Sequence, residues 1–361
     1  MKQAQPLPLD LVQNHFDRYF QKLQAKHLAQ PLQIRVFSQK LGLDYCYPSD
    51  STNQPYHIAS IGKVFTAVLI QMLAERGHLS IQDPIRCFFS PAELDRLFVY
   101  RNVDYSQQVT VEHLMGHTSG INDYFEGKAA QGKTFAQEVL DNANHHWTPW
   151  ELVNYTRENQ AAVGMPGKKF LYSDTGYILL GMIIEKVTGK TFDQNLREEI
   201  FLPLQMNDSY LMFYAEPVNG KREIEKIWFL NREVSEYESL SCDWSGGGII
   251  STTADLLKFN QALRGGRLIQ PASLRALDTF SHRFRLGIHY GLGMMEIHFN
   301  EFFFLLGRLP KIQGHIGILA THMYYDASSD AHIIMNFGST ARMQESFMAL
   351  IEIENHLQKL R

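Results

Sequence analysis

The sequence predicts an α/β protein of the α+β sandwich kind, an antiparallel sheet built from both chain ends, flanked by helices and interrupted by a large inserted helical region. Strand-like alternation is concentrated before residue 60 and after residue 276, while residues 60 to about 275 carry mostly helical spacing with long connections. Taking the elements in order, Leu11, Phe16, Tyr19, Phe20 and Leu23 place a helix over residues 11–28. Gln33–Ser38 and Leu43–Tyr47 then read as two strands separated by Gly42. Near the other end, Gly287–Phe299, Glu301–Leu306, Ile318–Tyr325 and Ala331–Phe337 read as successive strands, and Met343–Leu360 as a closing amphipathic helix.

This pattern divides the chain spatially: residues 1–59 with 276–361 form a sheet lobe, and residues 60–275 a mainly helical lobe. The stretch 210–238, charged and aromatic without a clean period, reads as a lid insertion into one integrated catalytic unit. At 361 residues the chain falls between one large domain and two.

Bulk composition excludes several classes. A formal net charge of −4, with acids and bases mixed along the chain, offers no basic stripe for nucleic acid. No stretch reaches the roughly 20 apolar residues of a membrane span. The N-terminus lacks the apolar run of a signal peptide, so a cytoplasmic location is expected of the chain as written, and an exported one if a leader had been trimmed. Cys46, Cys87 and Cys242 form no Cys-x-x-Cys pair and read as ordinary buried thiols. His145-His146 has no metal-binding setting, and the triple glycine at 246–248 lacks the Gly-Lys-Ser/Thr of a phosphate loop, so it reads as a tight turn and cleft wall. No metal and no cofactor is expected.

Chemistry concentrates in three segments. His57-Ile-Ala-Ser60-Ile-Gly-Lys63 opens an apolar helix that stops near Gly77. Three residues apart on a helix, Ser60 and Lys63 share a face, so the amine can reach the hydroxyl, and burial would favour a neutral lysine able to act as a base. Alone, Ser-x-x-Lys is a weak signal, equally satisfied by an N-cap and a solvated lysine. The second segment, Leu171-Tyr172-Ser173-Asp174, precedes another apolar helix, with Tyr172 free to exchange a proton with Ser60 and Asp174 readable as a helix cap. The third, Gly314-His315-Ile316-Gly317-Ile318, enters a strand where glycine lets a substrate approach the backbone. His117 and Ser119 read as part of a structural turn rather than a second catalytic pair.

In order and spacing these segments resemble the serine β-lactamases and penicillin-binding proteins, whose motifs run Ser-x-x-Lys, Tyr-x-Asn and Lys/His-x-Gly. Glu112-His-Leu-Met-Gly-His117-Thr-Ser-Gly120 and Gly246-Gly-Gly-Ile-Ile-Ser-Thr-Thr-Ala-Asp-Leu-Leu-Lys258 are similar to the class C β-lactamase, esterase and D-aminopeptidase branch. The resemblance spans about residues 54–337 and implies a β-lactamase/transpeptidase-like fold. It further implies that Ser60 forms the acyl-enzyme, that Lys63 and Tyr172 shuttle its proton, and that the N–H groups of Ser60 and Ile318 make the oxyanion hole. Asp174, His315 and Gly317 would contact substrate. Two departures bear on specificity: Asp174 replaces the usual asparagine and His315 the usual lysine. The expected function is a serine hydrolase acting on a small ester, amide or short peptide. Its rivals are a true β-lactamase or D-Ala-D-Ala carboxypeptidase, and a catalytically weak penicillin-binding-like receptor. Oligomeric state is not encoded in any of these motifs.

Overall fold

The computed structural model describes residues 6–49, 54–129 and 132–360. Its main sheet has eight strands, all antiparallel: β1 (Gln33–Ser38), β2 (Leu43–Tyr47), β3 (His282–Arg285), β4 (Ile288–Tyr290), β5 (Met295–Ile297), β6 (Ile312–Gly317), β7 (Thr321–Asp326) and β8 (Ala331–Asn336). They lie in the order β3-β4-β5-β6-β7-β8-β1-β2, so the chain's first strands close against its last. Val36 faces Ile333 on one side and Tyr45 on the other, which fixes the join in register. This is the sheet from both termini that the alternation predicts.

The sheet's two faces serve two cores, as the two-residue side-chain period requires. Tyr324, Ile333 and Met335 pack with α1 (Leu9–Gln24) and α5 (Met343–Leu357) through Val12, Phe16, Phe20, Leu350 and Ile353. Met323 and Ile334 point the other way, into the larger core with α2 (Gly62–Glu75), α3 (Asp174–Thr188) and α4 (Thr253–Arg264). Helix α2 is buried all round from Gly62 to Leu73, so it forms the hub of that core rather than a surface helix. Phe65 stacks on Phe259 of α4 with ring centroids 3.7 Å apart. Because α4 packs on β1, β7 and β8, it covers the sheet, although it lies within the 60–275 stretch assigned to the helical lobe.

Several local expectations are corrected. Glu301–Leu306 is not a strand: Phe299–Phe302 and Phe304–Leu306 are short helical turns, because an unbroken apolar run carries no period that distinguishes the two. The stretch 287–299 is two strands, split at Gly293, whose φ of +90° breaks the extended backbone. Residues Ile318–Ala320 form the turn before β7 rather than its start, with Ala320 at φ 56°. Of the three thiols only Cys242 is buried, and Cys87 is exposed.

Within 210–238, Tyr210–Leu211 joins a small sheet with Tyr56–His57 and Ile249–Ser251, and Trp228–Phe229 pairs with Arg232–Glu233. The Trp228 N–H bonds to the Gly338 carbonyl at 2.8 Å and the Leu230 N–H to Thr340 Oγ1 at 3.0 Å, docking this hairpin on the turn after β8. No helix among the described residues is long and apolar enough to cross a membrane.

Candidate active site

Ser60 sits in the helical turn Ala59–Ile61 that leads into α2, at the floor of a cavity of about 260 Å³ between the two cores. The residue before it, Ala59, is held at φ 50°, a conformation that costs a non-glycine residue of order 1 kcal/mol or more and therefore needs support. That support comes from His57, whose Nδ1 accepts the Ala59 N–H at 3.1 Å, and from Thr321, whose hydroxyl bonds to the Ile58 carbonyl at 2.9 Å. Two glycines let neighbouring backbone close in. A Cβ on Gly317 would lie 2.8 Å from the Ile58 oxygen, and one on Gly247 would lie 2.8 Å from the Ala59 carbonyl carbon. The end of β6 is thereby brought beside the Ser60 turn, and Ile318 lines the same cavity as Ser60.

Lys63 is fully buried in the first turn of α2, and its Nζ meets three acceptors. They are Ser60 Oγ at 3.2 Å, the Gly246 carbonyl at 2.7 Å and the Asp174 carboxylate. Asp174, 111 residues away in sequence, offsets the burial cost of the ammonium. Nor is Asp174 the helix cap: Ser173 is, its hydroxyl accepting the Gly176 N–H at 3.3 Å, which frees the Asp174 carboxylate to turn inward. The triple glycine forms the cavity wall, with Gly246 and Gly247 lining it.

Tyr172, half-buried, lines the cavity with Ser60, and its ring centroid lies 5.1 Å from Lys63 Nζ. Burial, then repulsion from Asp174, pushes its phenol well above the usual value near 10, so at rest it holds its proton. His117 fixes it from behind: its ring lies 4.3 Å from the Tyr172 ring and its Nδ1 accepts the Ser173 N–H at 3.0 Å.

His315 requires a correction. Its side chain is buried, outside the cavity wall, with Nδ1 2.8 Å from the Ile316 carbonyl and Nε2 3.5 Å from the Tyr290 hydroxyl. Burial, and then the Lys63 charge, push it down to about 3, so it is neutral rather than partly cationic at pH 7. Alternation along β6 turns Ile316 to the cavity instead, and Gly317 also lines it.

Residues without a motif complete the site. Asp123 is buried and accepts N–H groups from Asp174 (2.9 Å), Phe125 (3.3 Å) and Glu126 (2.7 Å), which sets the start of α3 and presents Phe125 and Glu126 to the cavity. Burial, reinforced by Asp174, pushes its carboxyl up. Asp243, also on the wall, is pushed up to about 7 by burial and then by Asp174, and lies 3.5 Å from His57 Nε2. The remaining wall is largely apolar, from Phe284, Ile288, Met295, Met343 and Phe347. None of these has a sequence signal beyond being acidic or apolar, though His57 stands inside the first motif.

The buried histidines predict acid lability. His57 and His332 are pushed to about 4, and His315 and His322 to about 3, all chiefly by burial. The unfolded chain protonates each near 6.5, so their contribution is present above 6.5 and lost as pH falls toward 3–4. Asp123 and Asp243 act oppositely, favouring the fold at low pH and losing that effect as pH rises toward about 7. Buried His117 is likewise pushed well below 6.5, so the depressed imidazoles outnumber these two carboxyls, unfolding takes up protons on balance between about pH 4 and 6.5, and stability falls as pH falls through that window. Urea midpoints should therefore fall from pH 6.5 to pH 5. An unchanged or higher midpoint at pH 5 would show that these rings are not held neutral.

A sandwich with this sheet, carrying a Ser-x-x-Lys serine and a facing tyrosine at the junction of its two cores, defines a recognised class. The Beta-lactamase family model matches residues 49–350, and the chain belongs to that family. It is 30% identical over 243 residues to penicillin-binding protein 4* of Bacillus subtilis (strain 168), covering 62% of this chain and 48% of that protein. The chain thus spans about half the length of the curated relatives it matches. Among solved structures, a D-stereospecific amidohydrolase from Streptomyces sp. superposes with a TM-score of 0.75 at 23% identity, covering 95% of this chain and 98% of that one. The D-amino acid amidase from Ochrobactrum anthropi SV3 complexed with L-phenylalanine gives 0.77 at 21%, covering 96% and 98%. These likenesses show the fold.

Proposed function

We propose that the protein is a serine acyl-transfer hydrolase that cleaves small amides or esters bearing an amine near the scissile carbonyl. The observation that carries this reading is Ser60 Oγ, 3.2 Å from Lys63 Nζ, opening into a cavity whose wall carries Glu126, Asp174 and Asp243; Lys63 pairs with Asp174 and the exposed Arg285 lies 3.8 Å from Glu126, which leaves Asp243 to meet a substrate amine. Amidase neighbours with the same fold support it.

In this reading the base is the Lys63–Asp174 pair. Transfer of one proton from Lys63 to the carboxylate leaves an amine lone pair facing Ser60 Oγ. The hydroxyl proton moves to Lys63 as Oγ attacks the carbonyl carbon, and the resulting oxyanion lies toward the N–H groups of Ser60 and Ile318. Tyr172 then gives its proton to the leaving nitrogen or oxygen and regains one from Lys63, so the site ends with an acyl-Ser60 ester and its protons conserved. Water entering by the same route releases the acid.

The charged wall sets the substrate. Penicillins and D-Ala-D-Ala peptides present a carboxylate, for which neutral His315 and rim-exposed Arg285 are poor partners. A unit charge at about 4 Å and an effective dielectric of about 20 contributes up to roughly 4 kcal/mol, enough to order a substrate series. For matched anilides of a phenyl-substituted acid, kcat/KM should fall in the order α-amino, unsubstituted, α-carboxylate. For the amine it should rise with pH through about 7 as Asp243 ionises. Asp243→Asn should cut the amine preference by about tenfold (1.4 kcal/mol) or more. A wild type that prefers the carboxylate substrate, or a preference unmoved by Asp243→Asn, would refute this assignment of specificity.

A further inference from the structure

Away from the cleft's chemistry, His289 on β4, His298 just after β5 and Glu301 in the turn Phe299–Phe302 converge on one point. Glu301 Oε1 lies 2.7 Å from His289 Nε2 and 3.1 Å from His298 Nδ1, and the two imidazoles stack with centroids 4.0 Å apart. All three donor atoms lie within 4.8 Å of one another. The other nitrogen of His298 meets the carboxylate of Glu296, which Gln313 Nε2 holds at 3.3 Å. Both His298 nitrogens therefore face carboxylate oxygens.

We propose that His289, His298 and Glu301 form a zinc site, with Glu296 as the carboxylate that orients His298. Two imidazoles and a carboxylate are a donor set that zinc accepts, leaving a fourth position for water. Tetrahedral zinc with bonds of about 2.0–2.1 Å separates its donors by roughly 3.3 Å, so the 2.7 and 3.1 Å contacts to Glu301 must lengthen and one of the two stacked rings, now 21° from parallel, must turn so that both nitrogens aim at the ion. Glu296 does for His298 what a second carboxylate does for many zinc-bound histidines: it fixes the tautomer with Nδ1 unprotonated toward the metal. Arg283 and Lys311, at 3.8 and 3.6 Å from Glu301 and Glu296, are more than half exposed and can swing into solvent when the ion supplies the charge.

The site would brace the mouth of the active cavity. Glu301 Oε2 already accepts the Gly287 N–H at 3.2 Å, in the turn just beyond Phe284 and Arg285, and Ile288 and Met295 on the same two strands line the cavity. Zinc clamping β4, β5 and this turn stiffens that wall without touching Ser60.

The experiment is titration of metal-stripped full-length protein with zinc chloride by calorimetry, with thermal melts in parallel. Wild type should bind one ion per chain and melt higher with zinc. His289→Ala and Glu301→Gln should each weaken binding by more than about tenfold and lose the zinc-dependent rise, and Glu296→Gln should weaken it by about 10–100-fold while keeping all three ligands. Metal-free melts and far-UV circular dichroism of each variant establish that it is folded. Should a variant not fold, the d–d spectrum of cobalt(II) in wild type and Glu296→Gln reads the same ligand set. Absence of binding by folded wild type at submillimolar zinc overturns the proposal. So does binding unchanged in these variants, or lost instead when the separate His15, Glu352 and His356 cluster is altered by His15→Ala.

Discussion

Replacing Ser60 with alanine is expected to abolish both turnover and covalent labelling by a fluorophosphonate, while the protein keeps its fold. The hydroxyl is the only group in the proposed scheme that bonds to substrate carbon, and removing a nucleophile of this kind costs at least about 10⁴ in kcat. Structurally the loss is small. Ser60 does not cap its helix, and Lys63 keeps the Gly246 carbonyl and the Asp174 carboxylate as acceptors. One hydrogen bond to a charged group is removed, so the stability change should stay within about 2 kcal/mol. Intact-mass analysis followed by peptide mapping reads the result: one adduct on wild type, at Ser60, and none on the variant. An adduct at another serine, or undiminished turnover in Ser60→Ala, would relocate the active site. Absence of any adduct on wild type with a fluorophosphonate, a penicillin and an aryl ester would instead favour a receptor with an unreactive cleft.

What the sequence disclosed and what it hid follow from the range of the interactions. Ser60 and Lys63 meet through helix geometry over three residues, and Tyr172 through a motif beside a helix start, so local spacing finds them. Strands β1 and β2 alternate, and their limits are legible to the residue. The Lys63–Asp174 contact joins residues that no local pattern links. Asp123 and Asp243 are lone acids in sequence, and only their burial beside Asp174 gives them a role. His315 stands in the third motif but outside the cavity wall, because a motif names a position while strand alternation decides which side chain sees the cavity. Strand β3, His-Arg-Phe-Arg, went unread since charged residues alternate there as they do on many sheet edges.

The second large effect concerns the buried ion pair. Lys63→Met should lower turnover by about 10²–10⁴ by removing the proton acceptor, and also destabilise the fold by about 3–5 kcal/mol. The stability loss arises because Asp174 is then left without its counter-charge beside Asp123 and Asp243, whose carboxyls Asp174 already pushes up. Two features separate this cause from lost packing, since methionine retains much of the lysine stem's volume. First, folded Asp174 in the variant should take up a proton more readily than it does in the unfolded chain. Stability of Lys63→Met relative to wild type should therefore fall further as pH rises from about 5 to 8. Second, Asp174→Asn on the same background removes the uncompensated charge, so Lys63→Met/Asp174→Asn should recover most of the lost stability and none of the activity. Urea unfolding of wild type, both single variants and the double variant closes the cycle and gives the coupling directly. If the double variant is no more stable than Lys63→Met, or the deficit is the same at pH 5 and pH 8, the pair is not an interacting charge pair. The proton path from Ser60 would then have to run through Tyr172 alone.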